Sequence, residues 1–172
     1  MVTVRLVPYS SEWPRTFEAA RDRIVSALGD DALEVHHAGS TSVPGLRAKP
    51  IIDIVLVVAD TTDEDAYLPP LEAVGYSLRL REPEWFEHRL LRREDPPVNL
   101  HVFPPRCTEV TRMLGFRDHL RVDRVDRELY ESTKLALAER EWATVQDYAD
   151  AKDEVVADIL SRTAVAGRSA DG

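Results

Sequence analysis

The spacing of apolar residues first predicts a helix. Five apolar residues recur at intervals of four, three, four and four, which places them on one face of an amphipathic helix: Trp13, Phe17, Ala20, Ile24 and Leu28. Pro14 is tolerated in a first helical turn, and Gly29 ends the helix. Upstream, residues 2–8 alternate apolar and polar side chains, which predicts a short edge strand.

Strand-like runs fill the middle of the chain. Five stretches are predicted as strands: residues 33–37, 50–59, 76–81, 85–92 and 97–103. The second is an almost unbroken run of β-branched residues, typical of a central strand covered on both faces. The last three predict a meander, with a turn at Asp95-Pro96 before the final strand. Residues 65–74 are predicted as a helix that Gly75 ends.

The helical period returns towards the C-terminus. Helices are predicted over residues 108–121, 123–141 and 147–161, with Val125, Leu129 and Ala136 of the middle one facing inward. The last helix carries an apolar stripe: Tyr148, Ala151, Val155 and Ile159. We therefore predict one α/β (α+β) domain over residues 1–163, with a mixed β-sheet, helices packed on it and a helical C-terminal part. Residues 164–172 lack an apolar pattern and are predicted to be a flexible tail.

Composition narrows the class of protein. The chain has 172 residues, of which 44% are apolar and 31% charged, as in ordinary globular domains. Cys107 is the single cysteine and cannot form an internal disulfide. The first residues do not resemble a signal peptide, and no apolar run approaches the ~20 residues of a membrane span. We expect a cytoplasmic protein without a membrane partner.

The formal net charge of −9 opposes nonspecific binding to nucleic acid, which requires many phosphate contacts from lysine and arginine. We therefore do not expect a nucleic-acid partner, although a local basic groove would escape this argument. The sequence gives no indication of the oligomeric state.

One loop has the composition of a phosphate-binding turn. Gly39 permits a close backbone approach that a Cβ atom would block. Ser40 and Thr41 supply hydroxyl and N–H groups at the start of a helical turn, where anions are favoured. Lys49 adds a positive charge nearby in sequence. These four residues are the candidate phosphate ligands.

Asp53 interrupts the apolar run of residues 50–59. A buried, unpaired carboxylate costs several kcal/mol, so we expect it near a strand end, paired with a cation or bound to a metal. His101 occupies a similar place in the strand 97–103. If the two strands are neighbours, both side chains converge above one face of the sheet, as a candidate catalytic and metal-binding pair.

Two further residues remain open to more than one interpretation. His37 either orients Asp53 or contacts a ligand, or it is a hydrogen-bonded core histidine. Arg117, Arg121 and Arg124 recur on one helical face and either grip a phosphate or form a solvated ion-pair network. Of these arginines, Arg117 is the candidate ligand.

Several stretches resemble the GrpB family over most of the chain. They are Tyr9 to Pro14, His37 to Leu46, Lys49 to Ile54, Asn99 to Val102, Phe116 to Arg121, and Tyr148 with Ala151 and Lys152. That family is similar to the nucleotidyltransferase superfamily, whose pattern of Gly-Ser followed by Asp-x-Asp/Glu is matched here by Gly39-Ser40 and Asp53. The resemblance implies a mixed sheet with helices on one side and nucleotidyl transfer that depends on Mg²⁺ or Mn²⁺. The second acid of the pattern is replaced by Val55.

Three functional hypotheses follow. The first is a metal-dependent nucleotidyltransferase that acts on an unknown acceptor. The second is a non-catalytic module that binds a nucleoside triphosphate or another phosphorylated small molecule, which Val55 favours. The third is an accessory domain, because family members resemble domains fused to dephospho-coenzyme A kinase; the sequence contains no P-loop, so kinase activity is not implied. Glu34 and Glu109 are candidates for the missing acid.

Overall fold

The centre of the molecule is a mixed five-stranded sheet. The structure is a computed structural model that describes the backbone of residues 1–169 and the side chains of residues 1–163. The strands are β1 (Glu34–Ala38), β2 (Ile52–Val57), β3 (Ser77–Glu82), β4 (His88–Glu94) and β5 (Pro97–Phe103). Their order in the sheet is β1-β2-β5-β4-β3. The predicted mixed sheet is confirmed.

Strand pairing brings the two predicted site strands together. β2 runs antiparallel to β1 and parallel to β5, with Val55 opposite His101. The predicted meander is confirmed, because β3, β4 and β5 pair antiparallel in sequence order. The predicted edge strand over residues 2–8 is wrong. Val2 and Val7 make single bridges to Trp142 and Ala48, and neither partner belongs to a strand that could extend a ladder.

The described residues form six α-helices around the sheet. They are α1 (Trp13–Leu28), α2 (Leu68–Ala73), α3 (Thr108–Val122), α4 (Arg124–Ala138), α5 (Val145–Asp150) and α6 (Asp153–Ser169). The helix predicted over residues 147–161 is two helices, with a turn at residues 151–152 and an acidic first turn that favours a new start at Asp153. The predicted flexible tail overlaps α6 as far as Ser169, and residues 170–172 lie outside the described residues.

Apolar side chains cover both faces of the sheet. Alternate residues of β2 point to opposite faces, so Ile54 packs in the cluster under α1 and α2, whereas Val55 and Val57 pack with Val110 of α3. The resemblance implied that the helices lie on one side of the sheet, and this expectation is therefore wrong. Asp53 shares its face with Val55 and so points towards α3 and the C-terminal helices.

The inward face of α4 differs from the prediction. Val125 is 76% and Leu129 39% exposed, and Ala136 is also exposed. The buried residues of α4 are Asp126, Tyr130, Lys134 and Leu137. The prediction was wrong because the side chains that α4 buries are largely polar and find their partners across the interior.

Among the described residues, none of the helices combines the length and the apolar character that crossing a bilayer requires.

Candidate functional site

A cleft of about 340 Å³ opens between the Gly39-Ser40 turn and the C-terminal helices. Six of the sequence-predicted site residues line it: Gly39, Ser40, Thr41, Lys49, Asp53 and Arg117. His101 contacts Asp53 from the neighbouring strand. The structure therefore brings the predicted site residues together, although His37 does not line the cleft and contacts it through Thr41 and Arg117.

Gly39 lies directly against the Asp53 carboxylate. Its φ of 68° belongs to the left-handed region, and a Cβ atom at this position would overlap Asp53 Oδ2. The two residues are neighbours because Ala38 of β1 pairs with Asp53 of β2. The glycine thus allows the loop to turn over the carboxylate, as its position in the sequence predicts.

Asp53 and His101 form a pair at the sheet face. His101 Nε2 lies 3.3 Å from Asp53 Oδ1, and the two side chains are 21% and 29% exposed. Burial acts to raise the pKa of Asp53, but the hydrogen bond and charge of His101, the Asn99 amide and the Lys49 ammonium outweigh it and hold the pKa below its usual value. Asp53 is therefore an ionised carboxylate that remains accessible from the cleft. The predicted convergence with His101 is confirmed.

This donor set fits one divalent ion rather than two. One carboxylate oxygen and one imidazole nitrogen 3.3 Å apart have the spacing of two donors that share an ion bound at about 2.1 Å from each. Val55, at the position of the second acid, is 0% exposed and packs in the apolar cluster under α3. Glu34 pairs with His36 at the start of β1, so it does not replace that acid. Glu109 is on α3, where its carboxylate binds Arg112.

All three lysines of the chain line the cleft. The sequence contains Lys49, Lys134 and Lys152, and each contributes to the cleft wall together with Arg112 and Arg117. Two of the lining residues, Asp53 and Asp153, are acidic. A chain with a net charge of −9 therefore has a cleft with an excess of cations, which is an arrangement suited to an anionic ligand.

Lys134 is buried and connects both ends of the loop. Its side chain is 2% exposed, and Nζ donates to Ser40 Oγ at 3.0 Å and to the Arg47 carbonyl oxygen at 2.5 Å. Burial, together with the neighbouring Lys152 ammonium, lowers the pKa of Lys134 to about 7. The amine thus holds Ser40 in place and changes charge near neutral pH.

A Tyr-x-x-x-Lys spacing occurs twice in the C-terminal part of the chain. Lys134 Nζ lies 5.0 Å from the ring centroid of Tyr130, and Lys152 Nζ lies 4.7 Å from that of Tyr148. Lys49 approaches the Tyr148 ring at 5.6 Å. Tyr130 and Lys134 are four residues apart on α4 and so share a helical face, whereas Lys152 lies in the turn that follows α5. Each tyrosine supports its lysine through a cation–π contact. Burial lowers the pKa of Lys152 to about 8.

Contacts from α3 and α4 fix the loop against the sheet. Arg117 donates to the His37 carbonyl oxygen at 3.0 Å and Arg121 to that of Ser42 at 2.9 Å. The Arg47 amide donates to Glu131 at 2.8 Å. The C-terminal helices therefore determine the shape of the turn that carries Ser40.

His37 adopts the arrangement of a core histidine. It stacks on Phe17 of α1 at 4.7 Å, on the sheet face opposite Asp53, and its Nε2 lies 3.0 Å from the Thr41 hydroxyl. Burial, with the charge of Arg121, lowers the pKa of His37 to about 4. The Thr41 hydroxyl is occupied by this contact, so Ser40 is the better placed of the two hydroxyls for a ligand.

A cluster of one histidine and two aspartates lies outside the cleft lining. His119, Asp123 and Asp126 bring ligand atoms within 4.8 Å of one another. His119 and Arg162 both contact the Asp126 carboxylate. This arrangement is an ion-pair network that joins α3, α4 and α6.

Residues that sequence reasoning missed surround this site. Lys134 and Tyr130 lie on α4 away from the residues that were predicted to face inward. His88, 3.0 Å from His101, lies in a stretch interpreted only as a strand. Two sequence signals point to the lysines: the chain has three lysines among 22 basic residues, and two of them follow a tyrosine by four positions. His88 has no comparable signal, because its role depends on strand pairing.

Comparison with known proteins identifies the family. The model of the family described as GrpB protein matches residues 3–162. The chain belongs to the GrpB family. It is 53% identical over 160 residues to a UPF0157 protein of Halalkalibacterium halodurans, covering 93% of this chain and 82% of the relative. A dephospho-CoA kinase of Mycolicibacterium paratuberculosis is 29% identical over 186 residues, covering 92% of this chain and 46% of the kinase.

Solved structures confirm the fold. The crystal structure of GrpB from Enterococcus faecalis superposes with a TM-score of 0.79 and 27% identity, covering 92% of this chain and 99% of that one. The Cid1 poly(U) polymerase, in a structure described as Mg 3'-dATP bound, gives a TM-score of 0.56 at 13% identity, covering 76% and 42%. This GrpB chain therefore has a nucleotidyltransferase-like fold; at 13% identity the similarity to Cid1 establishes the fold alone.

Proposed function

We propose that the cleft binds a nucleoside triphosphate or another phosphorylated small molecule. The observation that carries this proposal is the convergence of all three lysines of an acidic chain on one cleft. Phosphate groups are multiply charged acceptors, and charge-assisted hydrogen bonds to them are about twice as strong as neutral ones. The nucleotidyltransferase-like fold supports a nucleotide as the ligand.

The chain's own residues suggest a division of roles. Lys49 and Lys152 both lie near the Tyr148 ring and would donate to phosphate oxygens. Ser40, whose Oγ accepts from Lys134, keeps its hydroxyl proton available for the ligand. Arg117 would add a further donor from α3. Cation–π contacts restrict the two lysines before the ligand binds, which reduces the entropy lost on binding.

Metal-dependent nucleotidyl transfer is the second candidate function. The specific observation that favours it is the Asp53–His101 pair beside the Gly39-Ser40 turn. Asp53 and His101 would hold a single Mg²⁺ or Mn²⁺, which would neutralise charge on a triphosphate during attack at its α-phosphorus. Val55 argues against a two-metal site, so binding without transfer is the function that the geometry supports best.

Thermal unfolding with ATP, GTP, CTP and UTP tests the binding proposal. A ligand at about one hundred times its Kd stabilises the folded protein by about 2.7 kcal/mol. Lys152→Met should weaken nucleotide binding about 10- to 100-fold, because it removes a charge-assisted contact worth about 1.5–3 kcal/mol. Arg140→Met is the matched control, since it removes one charge from an exposed position. Equal affinities of both variants would contradict the proposal.

Repeating the titration with and without Mg²⁺ or Mn²⁺ separates the two candidates. Stabilisation without metal that Asp53→Asn leaves unchanged supports a binding module. Stabilisation that requires metal and disappears in Asp53→Asn, together with release of pyrophosphate from the nucleotide, supports transfer. A chain that responds to none of the four nucleotides contradicts both.

A further inference from the structure

Four polar side chains form a line across four adjacent strands. Glu82 ends β3, and its Oε2 lies 2.7 Å from Nδ1 of His88 at the start of β4. His88 Nε2 lies 3.0 Å from Nδ1 of His101 on β5. His101 Nε2 in turn lies 3.3 Å from Asp53 Oδ1 on β2. The line therefore runs from the sheet edge to the cleft.

Hydrogen-bond direction assigns a proton to each ring. A carboxylate only accepts, so His88 Nδ1 must carry the hydrogen that faces Glu82. His88 is 3% exposed, and burial disfavours a charged imidazole. Its Nε2 is then an unprotonated acceptor, to which His101 Nδ1 must donate. His101 consequently directs Nε2, and not Nδ1, towards Asp53 and the cleft. By the same rule, Nε2–H donates to the Asp53 carboxylate in the metal-free protein, and a metal ion would displace that proton on binding.

We propose that Glu82 and His88 are positioning residues that present His101 Nε2 as a metal ligand beside Asp53, so that the site takes Mn²⁺ in preference to Mg²⁺. This inference rests on the metal site of the proposed function. Ligating histidines in proteins almost always donate their other ring N–H to an outer partner, which fixes the tautomer. Mg²⁺ prefers oxygen ligands. Mn²⁺ also binds oxygen ligands, but it belongs to the first-row divalent series, whose later members favour imidazole. One carboxylate and one imidazole therefore select against Mg²⁺.

The alternative role for His88 is packing, since its ring lies against Trp85 and Phe103. Two substitutions separate packing from positioning. His88→Phe keeps an aromatic ring but removes both hydrogen bonds. His88→Gln loses the ring but keeps an amide that can donate to Glu82 and accept from His101.

The test measures Mn²⁺ binding to the full chain without nucleotide. The electron paramagnetic resonance signal of free Mn²⁺ reports how much of the ion remains unbound. Wild type should bind Mn²⁺ more tightly than Mg²⁺, measured by competition. His88→Phe should lose about 10- to 100-fold in Mn²⁺ affinity, and His88→Gln should recover most of that loss. The inference is overturned if wild type prefers Mg²⁺ or binds neither ion, or if a folded His88→Phe retains full Mn²⁺ affinity.

The proton positions provide a readout that requires no metal. Long-range ¹H–¹⁵N spectra of the free protein should show a proton on His101 Nδ1 and none on His88 Nε2; a bare His101 Nδ1 overturns the inference. Failure of nucleotide binding in the Lys152 experiment would contradict the proposed function while leaving these spectra unchanged, so the two failures are distinguishable.

Discussion

Replacing Lys134 with methionine should remove a pH dependence from the stability of this protein. The side chain is 2% exposed, and its burial lowers the pKa from 10.5 to about 7. In the unfolded chain the amine has its ordinary pKa of about 10.4. Between these two values the unfolded state binds one more proton than the folded state. The free energy of unfolding therefore rises with pH across this window.

The size of the effect follows from the two pKa values. Their difference corresponds to about 5 kcal/mol over the whole window. Between about pH 7.5 and 9.5, wild type should gain about 2–3 kcal/mol relative to Lys134→Met. Below the folded pKa both states are protonated, so the difference between the two proteins should become constant. Other titrating groups are common to both proteins and largely cancel in this difference.

Urea unfolding, followed by tryptophan fluorescence at about pH 6.5, 7.5, 8.5 and 9.5, measures this difference. Leu135→Met is the matched control, because it changes the next residue of α4, 38% exposed, without altering a charge. Its curve should stay parallel to that of wild type. A constant offset between wild type and Lys134→Met at all four pH values would refute the reasoning, since it would show that the buried amine titrates as it does in the unfolded chain.

Three further substitutions test separate features. Gly39→Ala should lower the free energy of unfolding in urea by about 1–3 kcal/mol more than Gly45→Ala does. Both glycines have a positive φ, but only at Gly39 does the added Cβ atom meet the Asp53 carboxylate. Equal losses in the two variants would contradict this overlap. The hydrogen bonds of its arginine partners lower the pKa of Glu64 from 4.5 to about 2. The ionised carboxylate should stabilise the folded protein by about 1–2 kcal/mol after screening by solvent. That contribution is present above pH 4.5 and lost as the pH falls towards about 2, so the free energies of unfolding of Glu64→Gln and wild type should become equal at low pH. A difference that persists at low pH would contradict this contribution of Glu64. Val125→Lys should change stability by less than about 0.5 kcal/mol, whereas a large loss would mean that this face of α4 is buried.

Local sequence rules predicted the features that depend on neighbours in the chain. The predicted inward face of α1 is correct at four positions, because helical spacing alone decides which residues align. The buried residues are Trp13, Ala20, Ile24 and Leu28. The bounds of β5 and the convergence of His101 with Asp53 also followed from local pattern. The Gly39 turn was predictable because glycine is the residue type that readily adopts the positive φ this turn requires.

Features that depend on partners distant in sequence could not be predicted in this way. Lys134 is buried because Ser40 and the Arg47 carbonyl, 94 and 87 positions away, supply its hydrogen bonds. Apolar periodicity instead pointed to Val125 and Leu129, which face solvent. Similarly, residues 2–8 have the alternation of a strand, yet the fold offers them no strand to join.

The scarcity of lysine gives this protein a built-in chemical reporter. Apart from the α-amino group, the two amines that an acylating reagent can reach, Lys49 and Lys152, border the same cavity as the buried Lys134. Intact mass alone would then count how many of them a bound ligand shields, without digestion into peptides. Acetylation of Lys49 and Lys152 would reduce the cavity's surplus of positive charge while leaving every arginine unchanged.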